Sequence, residues 1–322
     1  MVYSIRHVTH FSYEPAVRES VMEVRTQPRS EWHQRCLSFY LDVQPLASVF
    51  VYLDFLGNSV HHFDIPAREN DVRITAKALV EVQGVPEPNS TDSGSWEDLD
   101  ARVTQGDFWE MLLPSKFAQP SQLLLDFARE LDLKRGANPF ETVLQLNQGL
   151  GERLDYVPNS TKVDSPIDDA LRSRQGVCQD FSHIMTTLVR MLHVPCRYVS
   201  GYLFHDEKHP DRSSQGATHA WVEVFLGQLG WVGFDPTNNL LCGDRHIRVA
   251  VGRDYADVPP TRGVYKGEAQ SALNVAVVVN EVNEPQVEEL LPPTVIRSRP
   301  VVPERSTRTQ HDLEQQQQQQ QQ

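Results

Sequence analysis

Apolar and polar residues alternate with a period of two through most of the first eighty residues of the chain. The alternation is clearest over residues 37–43, 49–55 and 72–82, and turn residues separate these runs. A strand that buries one face has this period, because successive side chains point to opposite sides of a sheet. We therefore predict a β-sandwich-like N-terminal domain over residues 1–84.

The pattern changes after residue 84. Residues 85–95 lose the alternation and are rich in Pro, Gly and Ser, which is typical of a linker between domains. Helical signals follow, since Asn138 is a favoured N-cap residue and Pro139 is favoured at the first helical position. Apolar positions from Cys178 to Leu192 then keep helical spacing until a proline ends the pattern. The sequence therefore predicts a helix that starts at Cys178.

Strand-like segments come after that helix. They are Cys196–Leu203, Thr218–Leu226, Trp231–Phe234 and Ala272–Val279. We expect the last one to return and complete a sheet, so that residues 96–283 form a second domain and the fold class is α+β. Residues 284–322 are rich in Pro, Glu and Arg and end in eight glutamines. That composition predicts a disordered tail.

The composition of the chain argues against two classes of partner, nucleic acid and membranes. The formal net charge of −13 argues against nucleic acid, because nucleic-acid affinity depends on clustered Lys and Arg. No segment approaches the roughly 18 apolar residues of a membrane span, and the chain starts without a secretory pattern. The four cysteines lie far apart with no C-x-x-C pair, which fits a reducing compartment. We therefore expect a cytoplasmic protein with free thiols and neither a nucleic-acid nor a membrane partner.

Three residues in this second domain have the chemistry of a catalytic triad. Cys178 lies at the start of the predicted helix, where unpaired backbone N–H groups and the helix dipole favour a thiolate. His219 lies on one predicted strand and Asp235 at the end of the next. A nucleophile, a base and a carboxylate that orients the base are the parts of a thiol acyl-transfer site.

The hairpin between the histidine and the aspartate tests that interpretation. A two-residue turn would place Asp235 opposite Val222, whose side chain points away from the face of His219. A three-residue loop over residues 227–229 places Asp235 opposite Trp221 instead, on the same face as His219 and one diagonal step away. We therefore predict an asymmetric turn or a bulge in this hairpin, which its glycines allow.

Taken together, these motifs resemble the core of the transglutaminase-like superfamily. The residues that carry the resemblance are Gly176-Val177-Cys178-Gln179-Asp180-Phe181, Cys196–Tyr202, Thr218–Val224 and Gly230–Thr237. The β-rich first domain is similar to the N-terminal region of a bacterial branch of that family, and residues 254–265 resemble the closing motif of that branch. The resemblance implies a papain-like core over residues 96–283 with a returning C-terminal strand.

The resemblance also implies an activity. It implies thiol-dependent acyl transfer or hydrolysis at a peptide or carboxamide bond, through a thioester, with Cys178, His219 and Asp235 as the catalytic triad. It implies a peptide or protein amide substrate and a functional association with amide-ligase-type enzymes. We expect no cofactor and no metal, since no EF-hand loop pattern appears in the sequence. The resemblance leaves open the choice between hydrolysis and transamidation. The backbone N–H of Cys178 is the first candidate oxyanion donor, and Tyr156 or Gln175 is a candidate second donor.

Two other functions stay open at this point. A catalytically silent relative would use its cleft or its β domain to bind a peptide or a partner protein. A metal-dependent hydrolase would use His205 and His209, although a polar loop with no helical periodicity argues against such a site. Close to the thiol, Asp180 is expected to cap the helix or to pair with Arg197 rather than to transfer protons.

Overall fold

The computed structural model describes residues 1–84, 88, 94–206 and 210–282. Over these ranges the chain has an α+β fold, with an antiparallel β-rich region first and a mixed helical and β core after it. Most of the predicted linker at 85–95 and the predicted disordered tail at 284–322 lie outside the described residues. The predicted fold class is confirmed.

The described strands form two larger antiparallel sheets and one short parallel pair. The strands are β1 (Val2–Val24), β2 (Gln34–Gln44), β3 (Phe50–Leu53), β4 (Ser59–Val82), β5 (Asp155–Tyr156), β6 (Gln175–Gly176), β7 (Cys196–Leu203), β8 (His219–Phe225), β9 (Trp231–Asp235), β10 (Leu240–Leu241), β11 (His246–Gly252), β12 (Thr261–Lys266) and β13 (Gln270–Glu281). The helices are α1 (Trp96–Gln105), α2 (Trp109–Leu112), α3 (Gln122–Glu130), α4 (Pro139–Arg153), α5 (Ile167–Ser173) and α6 (Cys178–Met191).

The N-terminal sheet is built on two long strands, β1 and β4, which pair with each other along their lengths. Irregularities in their register, between Ser12 and Val17 and again between Arg18 and Ser20, divide the pairing into two halves. Such irregularities bend a strand and increase its twist. Residues of both halves contribute to one apolar cluster, in which Phe63 is fully buried. Among the described residues this region is one six-stranded antiparallel sheet with an apolar cluster of its own.

The C-terminal strands return to this same sheet. Strand β13 pairs with β1 from Tyr3 opposite Glu281 to Glu14 opposite Gln270, and β12 pairs with the second half of β1. We expected a strand from Ala272 to Val279 to return and complete a sheet, and it does so. The sheet that it completes is the N-terminal one and not the core sheet of residues 96–283. Apolar alternation predicts a strand but does not specify its partner.

The core consists of helix α6 packed on a five-stranded sheet in the order β10-β9-β8-β7-β11. Every residue of α6 from Gln179 to Arg190 is buried. A helix that is covered on all sides lies in the centre of a domain. Helices α3, α4 and α5 contribute to the same apolar cluster, and Asn138 caps α4 as predicted, accepting the Glu141 N–H at 2.9 Å.

A second apolar cluster joins the two regions. Tyr3 and Ile5 of β1 pack with Tyr198 and Tyr202 of β7, and Ile247 of β11 completes the contact. The N-terminal sheet therefore supports the strands that carry the candidate site. None of the described helices has the length and apolar character needed to cross a membrane.

Candidate active site

The position of Cys178 is fixed by the turn that leads into α6. Strand β6 ends at Gly176, Val177 is extended, and the helix begins at Cys178. The Asp180 carboxylate accepts the Val177 N–H at 2.8 Å and the Thr161 hydroxyl at 2.5 Å, so it caps the turn as expected. A Cβ on Gly176 would lie only 3.0 Å from the Cβ of Asp180, so this tight turn has little room for a side chain.

The proposed pairing of Asp180 with Arg197 is wrong. Arg197 instead contacts Glu223, with 2.6 Å between Nη2 and Oε2. Arg197 and Glu223 face each other on adjacent strands, β7 and β8, and a cross-strand pair of opposite charge is favourable. The carboxylate of Glu223 is fully buried and also contacts Arg248. Asp180 was therefore a poorer partner than the carboxylate directly opposite in the sheet.

The hairpin between β8 and β9 has the predicted three-residue loop. Residues Gly227–Leu229 form a single 3₁₀ turn, and the Leu226 N–H donates to the Gly230 carbonyl at 2.8 Å. Glycine suits positions 227 and 230, because their φ angles of 59° and 69° lie in the left-handed region. The register pairs Val222 with Phe234, so one step further places Asp235 opposite Trp221. The predicted register is confirmed.

That register brings His219 and Asp235 into contact. Nε2 of His219 lies 2.7 Å from Oδ2 of Asp235, and both side chains are buried, with 4% and 0% of their surface exposed. The other carboxylate oxygen accepts the backbone N–H groups of Thr237 at 3.1 Å and Asn238 at 3.2 Å. The carboxylate is therefore held from two sides, and one of its oxygens faces the imidazole.

Two further side chains hold the same carboxylate, and sequence reasoning missed both. Nδ2 of Asn238 donates to Oδ2 of Asp235 at 2.8 Å, and Nε2 of His246 lies 3.2 Å from the same oxygen. Asn238 follows the aspartate by three residues in a turn, so Asx-turn chemistry was a signal that could have found it. His246 begins a strand of its own, and no local pattern links it to Asp235.

The charges in this cluster support one another. Burial alone would disfavour the charged form of His219, but the charge and hydrogen bond of Asp235, helped by Cys178, outweigh burial and raise the pKa of His219 to about 10. Burial also opposes the Asp235 carboxylate, yet His219 and then His246 hold the pKa of Asp235 well below its usual range. An imidazolium and a carboxylate therefore form a buried ion pair over the neutral range.

Cys178 lies next to the imidazolium. A hydrogen bond that its sulfur accepts from the ring is among the interactions that favour the protonated form of His219. Because Asp235 occupies Nε2, Nδ1 is the ring nitrogen that is left for the thiol. The structure thus brings all three predicted side chains together, in the order sulfur, imidazole and carboxylate. The thiol is partly exposed, whereas the histidine and the aspartate are buried.

Tyr156 and Gln175, the two candidates for the second oxyanion donor, lie on the short parallel sheet that precedes α6. Tyr156 pairs with Gly176 in the short parallel sheet, but its hydroxyl is already 3.2 Å from Oγ of Ser214 and accepts the Ser214 N–H at 3.1 Å. Gln175 lies one residue earlier on β6, opposite Asp155, and is exposed. The assignment of either as an oxyanion donor stays a prediction.

Other titratable groups near the site have structural partners. His183 on α6 is buried between aromatic rings, and burial lowers its pKa to about 4, so it is neutral and accepts the Tyr255 N–H at 3.1 Å. His205, half of the alternative metal pair, lies 3.1 Å from Asp211. The other half, His209, lies outside the described residues.

His219, Asp235 and His246 also offer three atoms of metal-binding type within 4.8 Å of one another. Each atom already takes part in a hydrogen bond within this group, and Asn238 donates to the same carboxylate oxygen. An amide N–H that points at this oxygen is suited to a carboxylate that accepts hydrogen bonds from its neighbours. The hydrogen bonds therefore explain why these side chains lie together, and we assign no metal to them.

Comparisons with known proteins agree with this geometry. The sequence profile described as the transglutaminase-like superfamily matches residues 126–236, and the one described as the bacterial transglutaminase-like N-terminal region matches residues 3–81. An uncharacterized protein of Mycobacterium leprae is 32% identical over 282 residues, which cover 86% of this chain and 97% of that protein. The first profile contains all three residues of the candidate triad.

A solved structure and a named relative add to this result. The crystal structure of a candidate cysteine protease from Cytophaga hutchinsonii has a TM-score of 0.69 at 23% identity and covers 88% of this chain and 92% of its own. A protein-glutamine gamma-glutamyltransferase of Pseudomonas aeruginosa is 32% identical over 84 residues, or 25% of this chain and 12% of that enzyme. The fold is that of a thiol-dependent enzyme family, and the chain belongs to the transglutaminase-like superfamily.

Proposed function

We propose that the protein is a thiol acyl-transfer enzyme that acts on a peptide or carboxamide bond. The observation that carries the proposal is the buried pair of His219 and Asp235, joined at 2.7 Å, beside the partly exposed Cys178. A buried imidazolium next to a thiol stabilises the thiolate, which is the nucleophilic form of cysteine. An inert core thiol would have no need of a charged partner that is itself costly to bury.

In the first half of the reaction the Cys178 thiolate attacks the carbonyl carbon and forms a C–S bond, and the carbonyl oxygen becomes an oxyanion. The backbone N–H of Cys178 lies in the first turn of α6, where N–H groups have no partner within the helix, so it can donate to that oxyanion. The C–N bond then breaks. His219 gives its Nδ1 proton to the departing nitrogen, and ammonia or an amine leaves a thioester on Cys178.

In the second half, neutral His219 accepts a proton from water or from an amine, which attacks the thioester carbonyl. The C–S bond breaks, and Cys178 leaves as the thiolate beside a His219 that is protonated again. Water gives a carboxylic acid and an amine gives a new amide. Throughout both halves Asp235 stays ionised and keeps the ring of His219 in one orientation.

A glutamine-type carboxamide is the acyl donor that we propose to test first. The local similarity to a protein-glutamine gamma-glutamyltransferase supports this choice. The assay is mass spectrometry of the intact protein after incubation with a glutamine-containing peptide, with and without a primary amine. We expect a mass increase on Cys178 that equals the peptide minus ammonia. Product masses then separate transfer to the amine from hydrolysis.

The matched control uses another cysteine of the same chain. Cys178→Ser should abolish the adduct, whereas Cys36→Ser should leave it unchanged, because Cys36 lies on β2 in the N-terminal sheet and burial raises the pKa of its thiol to about 11. An adduct that survives Cys178→Ser would place the acyl group elsewhere and refute the proposal. A protein that binds the peptide tightly without any adduct would support the silent binding module instead.

A further inference from the structure

His246 is a buried histidine that the reaction steps above do not use. It begins strand β11 opposite Leu203 of β7, with 4% of its surface exposed. Its ring packs edge-on against Trp221, at 5.2 Å between centroids and 77° between planes. Trp221 also lies beside the ring of His219, at 6.1 Å. The two imidazole rings also lie 6.2 Å apart, so one indole packs beside two neighbouring imidazoles that reach the same carboxylate.

The hydrogen bonds of His246 fix its tautomer. The Gly243 N–H donates to Nδ1 at 3.3 Å, so Nδ1 carries no proton and Nε2 does. Nε2 then donates to Oδ2 of Asp235 at 3.2 Å. The charged and titratable groups that act on this ring are Asp235, His219 and Arg245. Burial lowers the pKa of His246, and Asp235 opposes this only in part, so the ring is neutral.

Oδ2 of Asp235 thus receives three donors: His219 at 2.7 Å, Asn238 at 2.8 Å and His246 at 3.2 Å. Donors that share one oxygen compete for its negative charge, so each weakens the hold of the oxygen on the others. His246 takes part of that charge with an N–H dipole and adds no charge of its own. The competition therefore acts on the partner whose proton matters for the chemistry, which is His219.

We propose that His246 is a positioning residue for the proposed reaction. Its ring shares Oδ2 of Asp235 with His219, and so it limits how tightly that oxygen holds the His219 proton. This inference rests on the proposed function. The first half of the reaction needs His219 to give its proton to a departing nitrogen, and an acid works best when its pKa lies near the working pH. The pKa of His219 is already about 10, so a stronger hydrogen bond to Asp235 would make His219 a slower acid.

The test compares two replacements of His246. His246→Phe keeps a ring of similar size and removes the N–H, whereas His246→Gln keeps an amide N–H that can donate to Asp235. The first readout is the titration of His219, which is monitored by NMR of protein that contains isotope-labelled histidine. The second readout is kcat and KM for the peptide that acylates Cys178. His246→Leu replaces His246→Phe if thermal unfolding shows that the phenylalanine variant is not folded.

We expect His246→Phe to move the titration of His219 to higher pH and to lower kcat about 3- to 10-fold with KM unchanged, the scale of one neutral hydrogen bond. His246→Gln should restore both values toward those of the wild type. A His219 titration in the phenylalanine or leucine variant that is unchanged, or that moves to lower pH, would overturn the inference. The titration needs no substrate, so this result is separable from a failure of the proposed function, which would instead appear as no acylation of the wild type.

Discussion

Replacing Asp235 with asparagine tests whether the carboxylate controls the charge of His219. The side chain keeps its size, and one of its two ends must stay an oxygen, because the backbone N–H groups of Thr237 and Asn238 both point at it. The amide nitrogen is therefore turned toward His219, where the wild type has a carboxylate oxygen at 2.7 Å. The variant should face His219 with a donor in place of an acceptor.

The size of the effect follows from the charge balance of the buried ring. Without the carboxylate, burial acts nearly unopposed, so the pKa of His219 should fall from about 10 to its ordinary 6.5 or below. At about 1.4 kcal/mol per pKa unit, the imidazolium loses at least about 5 kcal/mol of stabilisation. His219 would then be largely neutral at pH 7.5. A neutral ring no longer supplies the positive charge that stabilises a thiolate, and this loss outweighs any gain in acid strength. We expect the acylation rate of Cys178 to fall between about 100-fold and 10,000-fold, the usual contribution of a positioned acid or base.

The assay combines NMR titration of His219 with the rate of thioester formation at pH 7.5. Asn238→Ala is the matched control, because it removes one donor to Asp235 but leaves the carboxylate in place, so His219 should stay protonated at neutral pH. The reasoning is refuted if Asp235→Asn leaves His219 protonated at pH 7.5, or if the acylation rate changes less than tenfold while the ring becomes neutral.

Three further predictions concern stability. Gly201→Ala should lower the free energy of unfolding by at least about 2 kcal/mol, because the added Cβ would lie 2.5 Å from an indole carbon. The added Cβ of Gly243→Ala would lie in open space, so this control should be near neutral in thermal unfolding. Glu223→Gln should cost about 3 to 5 kcal/mol in urea unfolding, since it leaves two arginines without their buried carboxylate, whereas Glu130→Gln in an exposed pair should cost less than about 1 kcal/mol. The raised pKa of His219 adds stability that is complete below pH 6.5 and is lost as the pH rises to about 10, so the free energy of unfolding should fall across that window in the wild type. Equal losses in each pair, or a flat profile over that pH range, would contradict these expectations.

The three side chains of the candidate triad could be predicted from the sequence because each of them has a local signal. Cys178 starts an apolar-periodic helix, and His219 and Asp235 lie on neighbouring strands whose loop length fixes which side chains share a face. The three-residue loop Gly227–Leu229 was predictable for the same reason, since a loop one residue shorter would have turned Asp235 away from His219.

The supporting side chains could not be predicted in the same way. His246 reaches Asp235 only because β11 pairs with β7 at the edge of the core sheet. The separation of these two strands along the chain does not predict that they pair. The strand with which β13 pairs could not be predicted from the sequence either. The alternation of β13 predicts a half-buried strand, but strand order is decided by which exposed edge is available, and here that edge belongs to β1. The domain boundaries stay a prediction.

The most direct test of the account is the rate at which Cys178 is alkylated as the pH is varied, measured against Cys36 in the same molecule. If the buried imidazolium of His219 activates Cys178 as a nucleophile, iodoacetamide should label Cys178 faster than free cysteine at pH 6. Cys36 and free cysteine should react slowly there, since burial raises the pKa of Cys36 to about 11. A Cys178 that reacts no faster than free cysteine at pH 6, and only gains reactivity above pH 8, would contradict the central claim.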